Sequence, residues 1–412
     1  MVETTKERVL RLSESLRLVK ELGAEPVPVK PQEQAYEAPS ITLLKNYRNM
    51  QSEDAPMNPV AIEDKLREFG FACRVENIRR GPFITRYEVR LAPGVKLAQV
   101  KNVADDLAVA LMSDRIRILA PIPGTSLVGI EVVNENPDII GLKNQIKAAK
   151  ANKKDELPVA IGSDTVGVPV TVDLAKMPHL LIAGCTGSGK SVCLNAIILS
   201  LLYTKTPEEC ELILVDPKRV EMCNYNGISN TTMVTDSFEA VTLFRELVRE
   251  MERRYETLSQ AKVRNIVSYN QQILLRESTA RRMPYMVVVV DEMADLMMTS
   301  GKALETYIVR LAQLARAVGI HLVLATQKPI VKVITGLIKS NMPSRIAFQV
   351  MSKTDSRVIL DENGAEKLAG RGDMLMIRPG SQEPERFHGA FVSDDEIERV
   401  CNFLKGGHEC KT

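Results

Sequence analysis

The chain has 412 residues, 45% of them apolar, and a formal net charge of only +2. That length points to two or three domains, and the apolar share is enough to bury large cores. A charge so near zero implies no global attraction to nucleic acid and leaves room only for a local basic patch. The absence of Trp and the 4% share of aromatic residues argue against base recognition by stacking. The seven cysteines (Cys73, Cys185, Cys193, Cys210, Cys223, Cys401 and Cys410) form no C-x-x-C pair, and the four histidines are scattered. Neither a zinc site nor a disulfide framework is predicted, and the odd thiol count suits a reducing cytosol. No run of about 18 apolar residues is present, and the N-terminus lacks the apolar stretch of a secretory signal. A cytoplasmic chain without membrane contact of its own is expected.

Along the chain, Val9, Leu10, Leu12, Leu16, Leu18, Val19 and Leu22 recur at helical spacing, which predicts an amphipathic helix ending at Gly23. Residues 25–40 are rich in Pro and Glu and read as a plain tether, so 1–57 are an N-terminal helix and linker. Residues 58–140 form a small α+β domain. It has helices over Ala61–Phe69 and Val100–Met112, strands over Arg86–Leu91, Ile116–Ile118 and Val128–Val133, and a turn at PIPGTS. Lys143–Lys154 reads as a polar, basic connector. The second domain spans 155–404 and is followed by a tail, 405–412. Its apolar runs Leu180–Ala183, Leu212–Val215, Met286–Val290, Leu322–Ala325 and Ile346–Val350 alternate with helical segments. One of these segments is a long charged stretch over Glu239–Leu275. That alternation predicts an α/β fold with a mainly parallel sheet.

The strand Leu180–Ala183 is followed by GCTGSGKS, Gly184–Ser191, and then by the apolar helical run Val192–Leu202. This is the phosphate-binding pattern G-x-x-x-x-G-K-[ST] in the strand–turn–helix setting that it requires. The backbone N–H groups of Gly184, Cys185, Thr186, Gly187, Ser188, Gly189, Lys190, Ser191 and Val192 are expected to cradle the phosphates of ATP at a helix N-terminus. Lys190 is expected to reach the β- and γ-phosphates, and Ser191 to hold Mg²⁺.

Asp291 and Glu292 directly follow the run MVVVV, at a strand end where a parallel sheet presents its ligand crevice. Asp291 is placed to join the Mg²⁺ shell, and Glu292 to polarise the attacking water. Asp295, one turn further, reads as a carboxylate on the helix dipole. Thr326–Gln327 end the third apolar run, and Gln327 is placed to sense the γ-phosphate or orient water. Phosphoryl transfer commonly recruits an arginine from a neighbouring subunit; Arg310, Arg316, Arg345 and Arg357 are candidates that spacing does not separate. Lys328, Lys332, Lys339, Arg345, Lys353 and Arg357 fall close together with only Asp355 opposing. A basic strip without aromatics suits sequence-independent phosphate contacts.

Several phrases together resemble the FtsK/SpoIIIE family of DNA translocases: HLLIAGCTGSGKSVCLNAIILSLL (179–202), LVDPKRVEMCNYNGI (214–228), EMERRYETL (250–258), VVVDEMADLMM (288–298), RLAQLARAVGIHLVLATQKP (310–329), residues 333–376 and FHGAFVSDDEIERV (387–400). GPFITRYEVRLAPGVK (81–96) is similar to the accessory domain that precedes the motor in that family, and the likeness spans roughly Asn58–Phe403.

The resemblance implies a RecA-like P-loop ATPase core preceded by the smaller α+β domain. It implies a hexameric ring around double-stranded DNA that couples ATP hydrolysis to translocation in chromosome partition and cell division. It makes Arg316, in ARAVGIHL, the arginine finger, and assigns Lys328, Lys339, Lys353 and Arg357 to the DNA-contacting pore loops. A secretion- or conjugation-type coupling ATPase of the same superfamily is the alternative, and the basic strip favours a polyanion as cargo. A scaffold without motor activity is disfavoured by Glu292 beside Asp291. Family members usually carry N-terminal membrane helices and a C-terminal winged-helix domain. This sequence has neither and reads as a motor fragment or a short soluble relative.

Overall fold

A computed structural model describes residues 36–47, 59–113, 116–275, 282–381 and 383–406; the helix expected over 1–23 lies outside them. The small domain begins with α1 (Pro59–Glu68) and the hairpin β1 (Cys73–Arg80) and β2 (Ile84–Leu91). It continues through α2 (Leu97–Asn102), α3 (Ala104–Ala110), β3 (Ile116–Leu119) and β4 (Val128–Val133). Its sheet is antiparallel in the order β1-β2-β4-β3. The helices cover one face, with Ile62, Leu66, Leu107, Tyr87, Val89 and Ile130 buried between. β1 was not expected, because CRVENIRR lacks apolar alternation. It is an edge strand exposed over most of its length, where charge is what prevents further pairing.

Lys143–Lys154 is not a connector. It lies largely within α4 (Leu142–Ala151). Leu142, Ile146 and Ala149 are buried at helical spacing, and the lysines occupy the outer face.

The large domain follows as the hairpin β5 (Pro158–Asp164) and β6 (Pro169–Asp173), then β7 (His179–Ala183), α5 (Lys190–Thr204), β8 (Cys210–Val215) and β9 (Thr231–Val234). Next come α6 (Ser237–Gln260), α7 (Ile266–Leu275), β10 (Tyr285–Val290), α8 (Met293–Leu314), β11 (Ile320–Thr326), α9 (Gly336–Asn341), β12 (Ser344–Phe348) and α10 (Lys353–Leu360). The domain closes with β13 (Asp373–Ile377), β14 (Glu385–Gly389) and α11 (Asp394–Leu404). The strands make one sheet in the order β6-β5-β14-β13-β12-β7-β11-β10-β8-β9. β12 through β9 are parallel, while β13, β14, β5 and β6 add an antiparallel flank.

All five strands expected in this domain are present. The flank and the polar edge strand β9 were not read from sequence. The charged segment expected as one helix breaks between α6 and α7, where Lys262 takes a left-handed φ of 57°.

The end of the supposed tether is docked. The Tyr36 hydroxyl donates to the Leu202 carbonyl at 3.0 Å, Leu44 is buried, and the Tyr47 hydroxyl donates to Glu396 at 2.8 Å. Residues 36–47 therefore lie across α5 and α11.

The two domains meet through a buried charge chain. Arg386 of β14 donates to Glu131 of β4 at 2.9 Å and makes a bidentate pair with Asp373 at 2.9 and 2.7 Å. Arg86 and Arg117 close on the same Glu131 carboxylate at 2.7 and 3.3 Å. Close approach also needs Gly81, where a Cβ would sit 1.9 Å from the Thr165 carbonyl oxygen. Burial alone would raise the Glu131 carboxyl, but Arg386, Arg117 and Arg86 reverse that and bring it down to about 2.

A carboxyl depressed on folding stabilises the fold above its unfolded value of 4.5, and that stabilisation is lost as pH falls toward about 2. Glu131→Gln should therefore lower the unfolding free energy at pH 7 by roughly 3 kcal/mol, read as a lower urea midpoint. The gap from wild type should shrink as pH is taken below 4.5 toward 2. Equal midpoints at pH 7 would show that the carboxylate does not hold the domains.

Candidate nucleotide site

β7, β11 and β10 are adjacent parallel strands with Thr326 paired to Ala183 and Val290 to Leu324. Their C-terminal ends therefore bring Gly184–Ser191, Thr326–Gln327 and Asp291–Glu292 to one crevice, as an open α/β sheet does for its ligands. The turn into α5 depends on Gly189, whose φ is 111° and where a Cβ would strike the backbone of Gly372 at 2.7 Å. Gly372 N also donates to the Ser188 carbonyl at 2.9 Å, so the 370–372 turn props the loop from behind. Thr186 and Gly187 face solvent at the mouth.

Lys190, the first residue of α5, donates to Asp291 Oδ1 at 2.5 Å and to the Asp291 carbonyl at 3.0 Å. The side chains are 3% and 0% exposed. This ion pair spans 101 residues of sequence and lies in a region that excludes water. Asp291 Oδ2 and the Ser188 hydroxyl are also buried, without a hydrogen-bond partner in the protein. A free carboxylate oxygen fits a divalent cation, and an unpaired hydroxyl at a helix N-terminus fits a phosphate. The residues present therefore suit Mg²⁺ with a nucleotide. Asp291 and Ser191 would hold the ion, whose chemistry would be to neutralise phosphate charge.

Glu292 is fully buried and caps α8 by accepting from Ala294 N at 3.2 Å. Its Oε1 also accepts from the Thr326 hydroxyl at 2.7 Å, and its Oε2 from Gln327 N at 3.1 Å. Gln327 in turn accepts from the Thr186 hydroxyl at 2.9 Å, tying the strand end to the phosphate loop.

Sequence reasoning missed Lys218, whose Nζ lies 3.5 Å from Glu292 Oε2 and 3.9 Å from Asp295. Its loop is shaped by Asp216, which accepts from five successive backbone N–H groups, Lys218 to Met222, at 3.0–3.1 Å. The signal was an acid at a strand end followed by bases, in LVDPKRVEM.

The other expected residues lie apart. Arg316 is exposed in the turn before β11, at the opposite end of that strand from Thr326 and about 20 Å away. It does not join the crevice of its own chain. Lys328 is exposed directly after Gln327, and Lys353 and Arg357 are exposed one turn apart on α10. Lys339 differs, because it pairs with Asp361 at 2.6 Å, and Asp361 also takes Arg345 at 2.7 Å. The sequence count allowed only Asp355 against the basic strip; the fold adds Asp361. Among the described residues no helix is long and apolar enough to cross a membrane.

A glycine-rich loop between a parallel strand and a buried helix, with its lysine on a strand-end aspartate, defines a P-loop ATPase fold. Residues 142–331 match the FtsK/SpoIIIE family and residues 38–134 match the FtsK alpha domain. The chain belongs to the FtsK/SpoIIIE family.

It is 48% identical over 383 residues to the DNA translocase FtsK of Bacillus cereus, covering 90% of this chain and 48% of that protein. It is 48% identical over 342 residues to the DNA translocase FtsK of Treponema pallidum, covering 82% and 43%. The chain thus spans about half the length of the curated relatives it matches. Among solved structures, the pCW3 conjugation coupling protein TcpA with ATPγS shares the fold, with a TM-score of 0.58, 24% identity and coverage of 84% of this chain and 99% of that one. The cytoplasmic domain of the Thermomonospora curvata type VII secretion ATPase EccC gives a TM-score of 0.54 at 26% identity, covering 60% and 31%.

Removing one partner of the Lys190–Asp291 pair strands a buried charge. Lys190→Ala should therefore lower the nucleotide-free unfolding free energy by about 3 kcal/mol, as well as weaken ATP binding. Adding Asp291→Asn should recover part of the stability. Strictly additive losses in that double-mutant cycle would show that the two groups are not coupled.

Proposed function

We propose that the chain is the motor portion of an ATP-driven translocase that moves along double-stranded DNA as a ring of subunits, a hexamer by family resemblance, in chromosome segregation and cell division. One observation carries this reading. Lys328 follows without a break from Thr326 and Gln327, which touch Glu292 and the phosphate loop. Polyanion binding and hydrolysis thus share one short segment. In this reading the loop Gly184–Val192 binds ATP, and Lys190 leaves Asp291 for the β- and γ-phosphates. Asp291 and Ser191 hold Mg²⁺, Glu292 takes the proton of the attacking water, and Gln327 reports the γ-phosphate. Arg316 acts on a neighbour's ATP, which its distance from its own crevice supports. Lys328, Lys353 and Arg357 contact DNA phosphates, with Lys339 contributing less because Asp361 already neutralises it. Six of the cysteines are free thiols, which suits the cytoplasm. The likeness to EccC and TcpA keeps a secretion- or conjugation-type cargo as the second reading.

Glu292→Gln should bind ATP but lose at least about 100-fold in hydrolysis, since general-base catalysis is of that order. A wild-type rate would remove Glu292 from that role. Mixing Arg316→Ala with Glu292→Gln subunits should restore part of the hydrolysis at hybrid interfaces; no rescue in verified mixed rings would count against a trans arginine. Neutralising Lys328, Lys353 and Arg357 should weaken duplex binding equally on unrelated sequences. The log–log salt slope should fall by about one unit for each phosphate-binding cation removed, while Lys339→Ala alone should change it less. An unchanged slope in the triple variant would favour the second reading.

A further inference from the structure

Donors crowd the buried Glu292 carboxylate from several sides. A carboxylate offers about four lone-pair sites, two on each oxygen. Oε1 accepts from the Thr326 hydroxyl at 2.7 Å and from Ala294 N at 3.2 Å; Gln327 N donates to Oε2 at 3.1 Å and is shared with Oε1 at 3.3 Å; Oε2 also faces Lys218 Nζ at 3.5 Å. The side chain is also fully buried. A base in this position has to shed a donor before it can take a proton from water.

Two of the donors are backbone groups, one of which caps α8, and the lysine is at the limit of contact. The Thr326 hydroxyl makes the shortest of these contacts, and it has a second acceptor in reach, the Lys328 carbonyl at 3.4 Å. It already accepts from Lys328 N at 3.0 Å. Both acceptors of the hydroxyl are therefore within reach, and the second belongs to the backbone of Lys328.

We propose that Thr326 is a positioning residue that latches Glu292 in an idle orientation, and that anchoring of Lys328 on a polyanion swings its hydroxyl to the Lys328 carbonyl and frees the carboxylate. The second clause rests on the translocase reading above; the latch itself does not. No covalent step is involved. The switch exchanges one hydrogen-bond acceptor for another on the same hydroxyl, so removing the hydroxyl should leave the base permanently unlatched. A residue that merely supported the fold would lower hydrolysis when altered, whereas a latch raises it.

The test is the steady-state ATPase rate of wild type, Thr326→Val and Thr326→Ser, each with and without linear duplex DNA. Melting temperature and ATP affinity are measured alongside. Thr326→Val keeps the shape and suits a strand; Thr326→Ala serves if it does not fold. The expected result is a DNA-free rate at least threefold above wild type in the hydroxyl-free variant and a stimulation ratio falling toward one, with Thr326→Ser close to wild type in both. A DNA-free rate equal to or below wild type in a folded, ATP-binding variant overturns the latch. If wild type is not stimulated by duplex DNA, the translocase reading fails by itself, and the DNA-free rates still decide the latch.

Discussion

The nucleotide crevice depends on the buried ion pair between Lys190 and Asp291. Its partners come from the two strand ends that flank β11, so it forms only if β7, β11 and β10 are in register. Both side chains are nearly or fully excluded from water. At that depth an unpaired ammonium costs several kcal/mol. The lysine therefore needs an anionic partner, which is Asp291 here and, in the function proposed above, would be the polyphosphate. In that function, nucleotide binding would be an exchange of one anion for another around a fixed cation, and it would free Asp291 for a divalent ion.

The accessory domain is tied to the same loop by a short path. Glu131 holds Arg386, Arg386 holds Asp373, and the preceding Gly372 holds the Ser188 carbonyl at 2.9 Å. The links to Glu131 and Asp373 are buried and charge-assisted, which makes them stiff. A rearrangement of the phosphate loop on binding would be felt at β4 through four residues. On the other side of the crevice, Gln327 connects the loop to the strand end that carries Lys328. The phosphate loop thus sits between the small domain and the basic strip.

Sequence patterning disclosed what hydrophobicity and motif spacing encode. The five apolar strands, α5 and the acidic pair after β10 all stand where the runs and the phosphate-loop pattern put them. What stayed hidden has physical reasons. β1 is a sheet-edge strand whose charged residues face water, and β9 is an edge strand of only four residues, TTMV, too short for an alternation to mark it. α4 carries lysines on its outer face, and these masked the spacing of Leu142, Ile146 and Ala149. Lys218 reaches Glu292 only because Asp216 folds its loop, and Asp361 reaches Lys339 across 22 residues; neither contact has a local signature. The Glu131–Arg386 link joins residues 255 apart and could not be read from spacing.

The most direct measurement is the ATPase rate of the unaltered chain against increasing amounts of two linear duplexes of unrelated sequence, with an acidic polypeptide as control. Equal stimulation by both duplexes, weakening steeply with salt, and none by the polypeptide is the expected result. Stimulation by the polypeptide alone, or by neither duplex, would contradict a motor that works on double-stranded DNA.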